Sequence, residues 1–208
     1  MKKVLKNVSF VILVLKMCIV FGQETASQKR IIIDVGHGGK DSGAIGINGI
    51  QEKDIVLNIA NAILKLNNEL DKPLDIYLTR YNDTLISLSD RTKLAKALNA
   101  DLFLSLHCNH SDNANARGIE VYVANTITRH SDDSTWLAFQ LQTGLNKRVG
   151  FESRGVKFAN FQVLKETIGY CSSLLLELGF LSNTDENAYL SNLKRTKILA
   201  RTIYKSIK

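Results

Sequence analysis

The sequence has 208 residues, enough for one domain and a short additional segment but too few for two domains of ordinary size. Hydrophobic residues make up 45% of the chain and charged residues 23%, a globular composition that excludes an intrinsically disordered chain. The formal net charge is +7, but the first 22 residues hold four lysines and no acid. The remainder carries about +3, which excludes a strongly basic nucleic-acid-binding domain.

The N-terminal residues have the pattern of a secretory signal peptide. Lysines at the start precede an apolar stretch over residues 8–21, which Lys16 interrupts and Gly22 ends. We predict a signal peptide at residues 1–22 and a short polar linker at residues 23–30. The alternative is an uncleaved membrane anchor, for which the apolar run is short, because a membrane span needs about 20 residues. We therefore expect an exported protein of the periplasm, cell envelope or extracellular space, without stable membrane insertion after cleavage.

From residue 31 onward, predicted strands and helices alternate. In chain order we predict a strand at 31–35, a helix at 52–68, a strand at 74–78, a helix at 87–98, strands at 101–106 and 118–123, a helix at 135–149, strands at 161–164 and 173–178, a helix after Asn183 and a helix at 194–207. Several strands are almost wholly apolar, as strands buried on both faces are. The alternation predicts a single α/β domain over residues 31–208, with a mostly parallel sheet covered by helices on both faces.

Four residues that could bind a metal or transfer a proton stand near the ends of these elements. His37 follows the first strand, His107 ends the third, Glu177 lies near the end of the last, and Glu52 opens the first helix. Because active sites of such sheets lie outside the carboxyl ends of the strands, we expect these side chains to lie together. Taken singly, a histidine at a strand end is usually an ordinary hydrogen-bonding residue, and a glutamate at a helix start usually complements the helix dipole. Glu177 is harder to dismiss, because burying a carboxylate among leucines is costly unless it is paired or used.

Together the four residues fit a catalytic zinc site. Two histidines and one glutamate, with an open position for water, form a known catalytic zinc set. A further carboxylate is then needed to take the proton of the attacking water and pass it to the leaving group. We therefore predict one Zn²⁺ bound by His37, Glu52 and His107, with Glu177 as the catalytic residue.

Five segments occur in an order that resembles a known family. They are GHGGKDSGAIG, QEKDIVLNIA, ADLFLSLHCN, RGIEVYV and LLLELGFLSN. They are similar to the signature blocks of zinc-dependent N-acetylmuramoyl-L-alanine amidases, and the resemblance covers about residues 31–207. It implies a sheet of about six strands, one zinc ion, and hydrolysis of the peptidoglycan amide between N-acetylmuramic acid and L-alanine, as in a cell-wall hydrolase or autolysin. By position, His37, Glu52 and His107 match the family's metal ligands, and Glu177 matches its catalytic glutamate.

Four more residues are expected around the substrate. Asn109, Arg80, Arg91 and His110 are predicted to bind substrate at the rim of the groove, and His110 could also compete as a metal ligand. The expected partner is peptidoglycan, with no nucleic acid, and the protein is expected to be a monomer.

Two other functions remain open from the sequence. A zinc carboxypeptidase-like peptidase on a similar sheet would need a cation for the free carboxylate of its substrate, and Arg80 or Arg154 could serve. A catalytically inactive wall-binding module would be expected to lose a ligand or the glutamate, whereas all four are present. Zinc content and the identity of the cleaved bond separate these hypotheses.

Two structural expectations follow from the predicted strand directions. Cys108 follows the carboxyl end of its strand and Cys171 precedes the start of its own, so we predict no disulfide between them. Residues 124–134 are short and mostly polar, with Ile127 as their one large apolar side chain. We therefore predict that this segment forms no helix that covers the site.

Overall fold

Six strands and six helices form residues 28–208, the part of the chain that the computed structural model describes. The strands are β1 (Arg30–Val35), β2 (Asp75–Leu78), β3 (Leu102–Asn109), β4 (Ile119–Ala124), β5 (Ser153–Ala159) and β6 (Ser172–Phe180). The helices are α1 (Glu52–Asn68), α2 (Leu88–Ala97), α3 (Ser131–Val149), α4 (Gln162–Thr167), α5 (Thr184–Leu190) and α6 (Leu193–Ile207). The predicted signal peptide, residues 1–22, and most of the predicted linker lie outside the described residues.

The strands form one mixed sheet in the order β2-β1-β3-β6-β4-β5. β2, β1, β3 and β6 are parallel, whereas β4 is antiparallel to β6 and β5 is parallel to β4. The prediction of a single α/β domain with a mostly parallel sheet of six strands is therefore confirmed. The reversal of β4 places its amino end beside the carboxyl end of β6, on the side of the sheet where β1 and β3 also end.

Helices cover both faces of the sheet. One core, which includes Ile59, Leu104 and Ile203, lies between the sheet and helices α1, α3 and α6. The other, smaller core includes Phe103 and Leu164 and lies between the sheet and helices α2 and α4. Strands buried on both faces need apolar side chains at nearly every position, which explains their continuous hydrophobic runs. Among residues 28–208, no helix combines the length and apolar character needed to cross a membrane.

The element predictions are accurate where hydrophobic periodicity is strong. Helix α1 has the predicted bounds, and Ser87 caps α2 as expected, its side chain accepting a hydrogen bond from the Asp90 amide. Asn183 likewise caps α5. Helix α3 begins at Ser131, four residues before its predicted start. The apolar pattern does not reveal this first turn, because its residues are polar.

The predicted strand at residues 161–164 is wrong. These residues lead into and form the start of α4, in which Val163 and Leu164 are buried. The fifth strand lies earlier in the chain, at Ser153–Ala159, where none of the residues is fully buried. An edge strand of this kind has a weak apolar pattern, so it was missed.

Strand directions keep the two cysteines apart. In the parallel pair of β3 and β6, Leu102 lies beside Ser172 and His107 beside Glu177. Cys171 is therefore near the amino ends of these strands and Cys108 near their carboxyl ends. Both are buried and unpaired, as predicted.

The segment after β4 does not cover the predicted site. It spans only residues 125–130, because α3 begins at Ser131. It also leaves the sheet at the carboxyl end of β4. Because β4 is antiparallel to β6, that end lies beside the amino end of β6, away from His107 and Glu177. The expectation of no covering helix in this segment holds, and the direction of β4 is a stronger reason for it than the polar composition.

A buried carboxylate fixes the position of β4 relative to β6. Glu186 in α5 is 1% exposed and accepts hydrogen bonds from the amides of Gly118 and Phe180, each at 2.7 Å. Gly118 immediately precedes β4, and Phe180 ends β6. This one side chain therefore joins the two strands whose ends border the predicted site.

Replacing Glu186 with alanine should lower the free energy of unfolding by about 3 kcal/mol, because it removes two hydrogen bonds to a buried carboxyl group and leaves two amides unpaired. The neighbouring Asp185 is exposed, so Asp185→Ala is the matched control and should change stability by no more than about 0.5 kcal/mol. Urea denaturation of both variants measures the difference. Equal stability of the two variants would contradict the role given to Glu186.

Candidate active site

The four residues singled out from the sequence lie together at one edge of the sheet. His107 in β3 and Glu177 in β6 are register partners, so their side chains project from the same face. His37 follows β1, and Glu52 is the first residue of α1. One ligand atom from each of His37, Glu52 and His107 lies within 4.8 Å of the others, so these three residues form a possible metal site.

Glu52 is the centre of this group. Its Oε1 atom lies 3.1 Å from His37 Nε2 and 2.9 Å from His107 Nδ1. Its two oxygens also accept hydrogen bonds from the amides of Ala44 and Cys108, at 2.7 and 2.9 Å. Burial favours the neutral form, but the hydrogen bonds from His107 and His37 outweigh it and lower the pKa of Glu52 to about 2. The carboxylate is therefore ionised, as a metal ligand must be.

His37 is oriented from two sides. Its Nε2 atom faces Glu52, while its Nδ1 atom lies 2.9 Å from Asp41 Oδ2. A carboxylate on the second ring nitrogen is the usual way in which proteins fix the tautomer and orientation of a metal-binding histidine. Asp41 is not among the residues predicted from the sequence, although an acid four residues after a predicted ligand is a readable signal.

Glycines permit the close approach of these side chains. A Cβ atom on Gly36 would lie 2.5 Å from His107 Cε1, and one on Gly43 would collide with Glu52 Oε2. Gly43 also has a φ of +63°, which favours glycine. The glycine-rich segment after β1 is therefore required by packing around His107 and Glu52.

Glu177 lies beside the possible metal site and has a different environment from Glu52. Burial raises the pKa of Glu177 to about 7, with the charges of Glu52 and Glu120 adding to the effect and those of His107 and His37 opposing it. Its Oε2 atom is buried and has no hydrogen-bond partner within residues 28–208. A carboxyl group with a pKa near neutrality is suited to both accepting and donating a proton.

Glu120 is a second buried acid that the sequence analysis did not identify as a site residue. It lies in β4, directly opposite Glu177 in β6, and is 3% exposed. Burial acts to raise the pKa of Glu120, but hydrogen bonds from Lys157, Tyr122 and Arg154 lower it below the usual value. The signal was present in RGIEVYV, where an acid interrupts an apolar strand as Glu177 does.

Arg80 and Arg91, which the sequence predicts at the rim of the groove, are held by main-chain groups around His37. Both are only 3% exposed. Their donors are directed to main-chain carbonyls, those of Val35, Gly36, His37, Lys53, Asn82 and Ile86. Arg91 also forms a buried ion pair with Asp34, with an N···O distance of 2.7 Å. The two arginines therefore use most of their donors to support the segment that carries His37.

Asn109 and His110 lie beyond the metal-site residues. The Asn109 amide nitrogen is 3.4 Å from Glu120 Oε2, and its oxygen accepts a hydrogen bond from the His110 amide. His110 is exposed and does not join the group around Glu52. The alternative that His110 competes as a metal ligand therefore has no support in the geometry.

A cleft of about 440 Å³ opens over His37, His107 and Glu177, three of the four residues predicted to carry the chemistry. Its lining residues include His37, Leu85, Arg91, His107, Phe161 and Glu177. Larger depressions of about 810 and 840 Å³ occur elsewhere on the surface, but the four predicted residues line neither of them. We therefore infer that the smaller cleft, which His37, His107 and Glu177 line, is the candidate active site.

Sequence comparison identifies relatives over almost the whole described domain. A family profile described as N-acetylmuramoyl-L-alanine amidase matches residues 31–208. The chain is 41% identical over 163 residues to the N-acetylmuramoyl-L-alanine amidase LytC of Bacillus subtilis, an alignment that covers 78% of this chain and 31% of LytC. It is 35% identical over 172 residues to the sporulation-specific N-acetylmuramoyl-L-alanine amidase of the same organism, covering 83% of this chain and 64% of that protein. The chain thus spans less than two thirds of the length of these two relatives.

Solved structures of similar proteins share the fold. An N-acetylmuramoyl-L-alanine amidase from Clostridium difficile 630 superposes with a TM-score of 0.80 and 34% identity, covering 88% of this chain and 96% of that one. The catalytic domain of the amidase CwlV from Bacillus (Paenibacillus) polymyxa superposes with a TM-score of 0.78 and 33% identity, covering 86% and 96%.

The Asp34–Arg91 pair gives a test of how the site is supported. Arg91→Met should lower the free energy of unfolding by about 3–5 kcal/mol, because it leaves the buried Asp34 carboxylate without its cation. The exposed Arg201 in α6 offers a matched control, and Arg201→Met should stay within about 0.5 kcal/mol of the parent protein. Chemical denaturation provides the measurement. A loss below about 1 kcal/mol for Arg91→Met would show that the pair is not required.

Proposed function

Because the chain belongs to the N-acetylmuramoyl-L-alanine amidase family, we propose that it hydrolyses the amide bond between N-acetylmuramic acid and L-alanine in peptidoglycan. The observation that carries this proposal is the convergence of His37, Glu52 and His107 beside the buried Glu177. This arrangement puts a possible metal site and a proton-transfer group on one face of the sheet, at the edge of one cleft. The protein would then act as a cell-wall hydrolase.

The three converging residues fit one zinc ion. Their donor set consists of two imidazole nitrogens and one carboxylate oxygen, which is a known set for catalytic zinc. Glu52 is ionised, and the orientation of His37 is fixed by Asp41. When bound, zinc supplies Lewis acidity that polarises an amide carbonyl and lowers the pKa of water to roughly 7.

The residues around this site have separate tasks in the proposed reaction. Glu177 accepts the proton of the attacking water and delivers it to the leaving nitrogen, for which its raised pKa is suited. Its position beside His107 puts the proton-transfer group next to the possible metal site. The carboxylate of Glu52 orients both imidazoles, because its Oε1 atom contacts one nitrogen of each ring.

The proposed substrate also implies where the protein works. Peptidoglycan lies outside the cytoplasmic membrane, so we propose export to the periplasm or the extracellular side of the envelope. Residues 1–22 would act as the signal peptide and be removed after Gly22, which the basic start and apolar stretch support. The mature protein is proposed to act as a monomer.

Zinc content tests the ligand assignment. His107→Ala should lose bound zinc together with activity, because only His37 and Glu52 would remain to hold the ion. The matched control is His110→Ala, since His110 is exposed and outside the group, and it should retain zinc. Metal analysis by mass spectrometry after dialysis gives the occupancy. Full zinc occupancy in His107→Ala would refute the assignment.

Glu177→Gln tests the proton-transfer role and the reaction at once. The amide is nearly isosteric but cannot accept the proton, so kcat should fall roughly 10²–10⁴-fold while zinc content and folding stay unchanged. Glu69→Gln, an exposed glutamate at the end of α1, is the control and should retain activity within about twofold. Activity of Glu177→Gln within about threefold of the parent would remove Glu177 from the mechanism.

Product analysis decides which bond is cut. Mass spectrometry of digested peptidoglycan should find free peptides that begin with alanine and glycan strands that have lost them. Release of a C-terminal residue would instead support the carboxypeptidase-like alternative. Zinc binding without any cleavage would support the inactive wall-binding module.

A further inference from the structure

Two cations of β5 contact Glu120, on the side of β4 away from the possible metal site. Lys157 Nζ lies 2.8 Å from Glu120 Oε1, and Arg154 contacts the same oxygen through its Nε atom. Tyr122 donates a hydrogen bond to the other oxygen at 2.5 Å. The Glu120 side chain is only 4% exposed, whereas those of Arg154 and Lys157 are 39% and 38% exposed. A buried anion thus holds two cations that remain accessible to solvent.

These cations retain unused hydrogen-bond donors. The Nη1 atom of Arg154 donates to the Arg117 carbonyl, but its Nη2 atom has no partner among the described residues. Lys157 contacts one oxygen, and an ammonium group has three donors. Because one carboxylate faces two cations, the cluster also has a formal excess of one positive charge. It is therefore equipped to receive an additional anion.

The cluster of Glu120, Arg154 and Lys157 lies on the strands that follow Glu177 across the sheet. Across the sheet, the order β1, β3, β6, β4, β5 places the possible metal site first, Glu177 next, then Glu120 and finally Lys157. Glu120 is the register partner of Glu177, and Tyr122 is the partner of both Leu175 and Lys157. Partners in a sheet project from the same face, and so do residues two apart along a strand. All of these side chains therefore lie on the face that carries the cleft.

This order of side chains indicates the direction in which the leaving peptide runs across the sheet. In the proposed reaction Glu177 delivers a proton to the leaving nitrogen, so the peptide that leaves must lie on the Glu177 side of the attacked carbonyl. Continuing in that direction, the peptide crosses β4 and reaches the two cations. Neighbouring strands are about 4.8 Å apart, so β5 lies about 10 Å from β6. An extended peptide spans about 3.3–3.6 Å per residue, and the long cationic side chains shorten the remaining distance.

We propose that Arg154 and Lys157, positioned by Glu120, bind a free carboxylate on the second residue of the leaving peptide. This specificity rests on the proposed amidase function and concerns a part of the substrate that does not react. Charge-assisted hydrogen bonds from a guanidinium and an ammonium group favour a carboxylate strongly over a neutral amide. The site would therefore distinguish peptidoglycan stems with a free acid at this position from stems in which it is amidated.

The test uses two soluble N-acetylmuramoyl peptides that share every group except one. Their second residue is glutamate linked through its γ-carboxyl group, and its α-carboxyl group is either free or amidated. Cleavage of both is measured with the zinc-loaded parent protein, Lys157→Met, Arg154→Gln and the control Lys147→Met. Lys147 is an exposed lysine of α3, and that helix packs on the opposite face of the sheet. Calorimetry with the two released peptides reports binding without turnover.

The parent should prefer the free acid by about tenfold to a hundredfold in kcat/KM, the range expected for a hydrogen bond to a charged group. Lys157→Met and Arg154→Gln should each lose about tenfold or more on the free acid, mainly through KM, and should lose less on the amide, so that the preference for the free acid falls toward one. Lys147→Met should match the parent on both substrates. The released acid peptide should bind the parent at least about tenfold more tightly than its amide, and Lys157→Met should lose this preference.

Other outcomes distinguish failure of the carboxylate subsite from failure of the proposed amidase function. Equal cleavage of both substrates by the parent, or equal losses on both in the variants, would overturn the carboxylate subsite and leave the amidase function standing. The cations would then only neutralise Glu120. Failure of the zinc-loaded parent to cleave either substrate would overturn the proposed function, and the subsite with it.

Discussion

The buried carboxylate of Glu52 is the interaction on which the rest of the site depends. An ionised carboxylate with 3% exposure is stable only if its oxygens are satisfied, and Glu52 satisfies them with two amides and two imidazoles. These partners come from the segment after β1, from β3 and from the residues that precede α1. Each contact that stabilises the charge therefore also fixes the position of one part of the site. The ends of β1 and β3 and the start of α1 must meet at Glu52 for the domain to bury this group.

The reversal of β4 adds a second constraint, because it puts two acids opposite each other. Glu120 and Glu177 are register partners, and two like charges at this spacing repel. The protein separates their behaviour by environment. Glu120 is surrounded by Arg154, Lys157 and Tyr122, which lower its pKa, whereas burial raises the pKa of Glu177 to about 7. One acid thus stays ionised while its neighbour titrates near neutrality, and such divergence is typical of acid–base sites.

The sequence was sufficient for the parts of the structure that local patterns determine. The apolar strands, the caps at Ser87 and Asn183, and the bounds of α1 follow from periodicity and side-chain chemistry. The direction of β4 does not, because an antiparallel strand covered on both faces has the same composition as a parallel one. The acid within an apolar strand marks Glu120 as unusual, but only the reversal of β4 brings it beside Glu177.

The arginines show a different limit of sequence reasoning, and they also explain how His37 is held. An arginine just after a strand resembles a rim residue, and nothing in the pattern reveals that main-chain carbonyls will use its donors. His37 has a φ of +57°, a left-handed conformation that costs a non-glycine residue roughly 1 kcal/mol or more. Arg91 donates to the His37 carbonyl at 2.8 Å, and Asp41 contacts the ring of the same residue. The strained backbone is thus fixed on one side by a buried arginine and on the other by a carboxylate. This support lets a residue in an unfavourable conformation hold its imidazole toward Glu52.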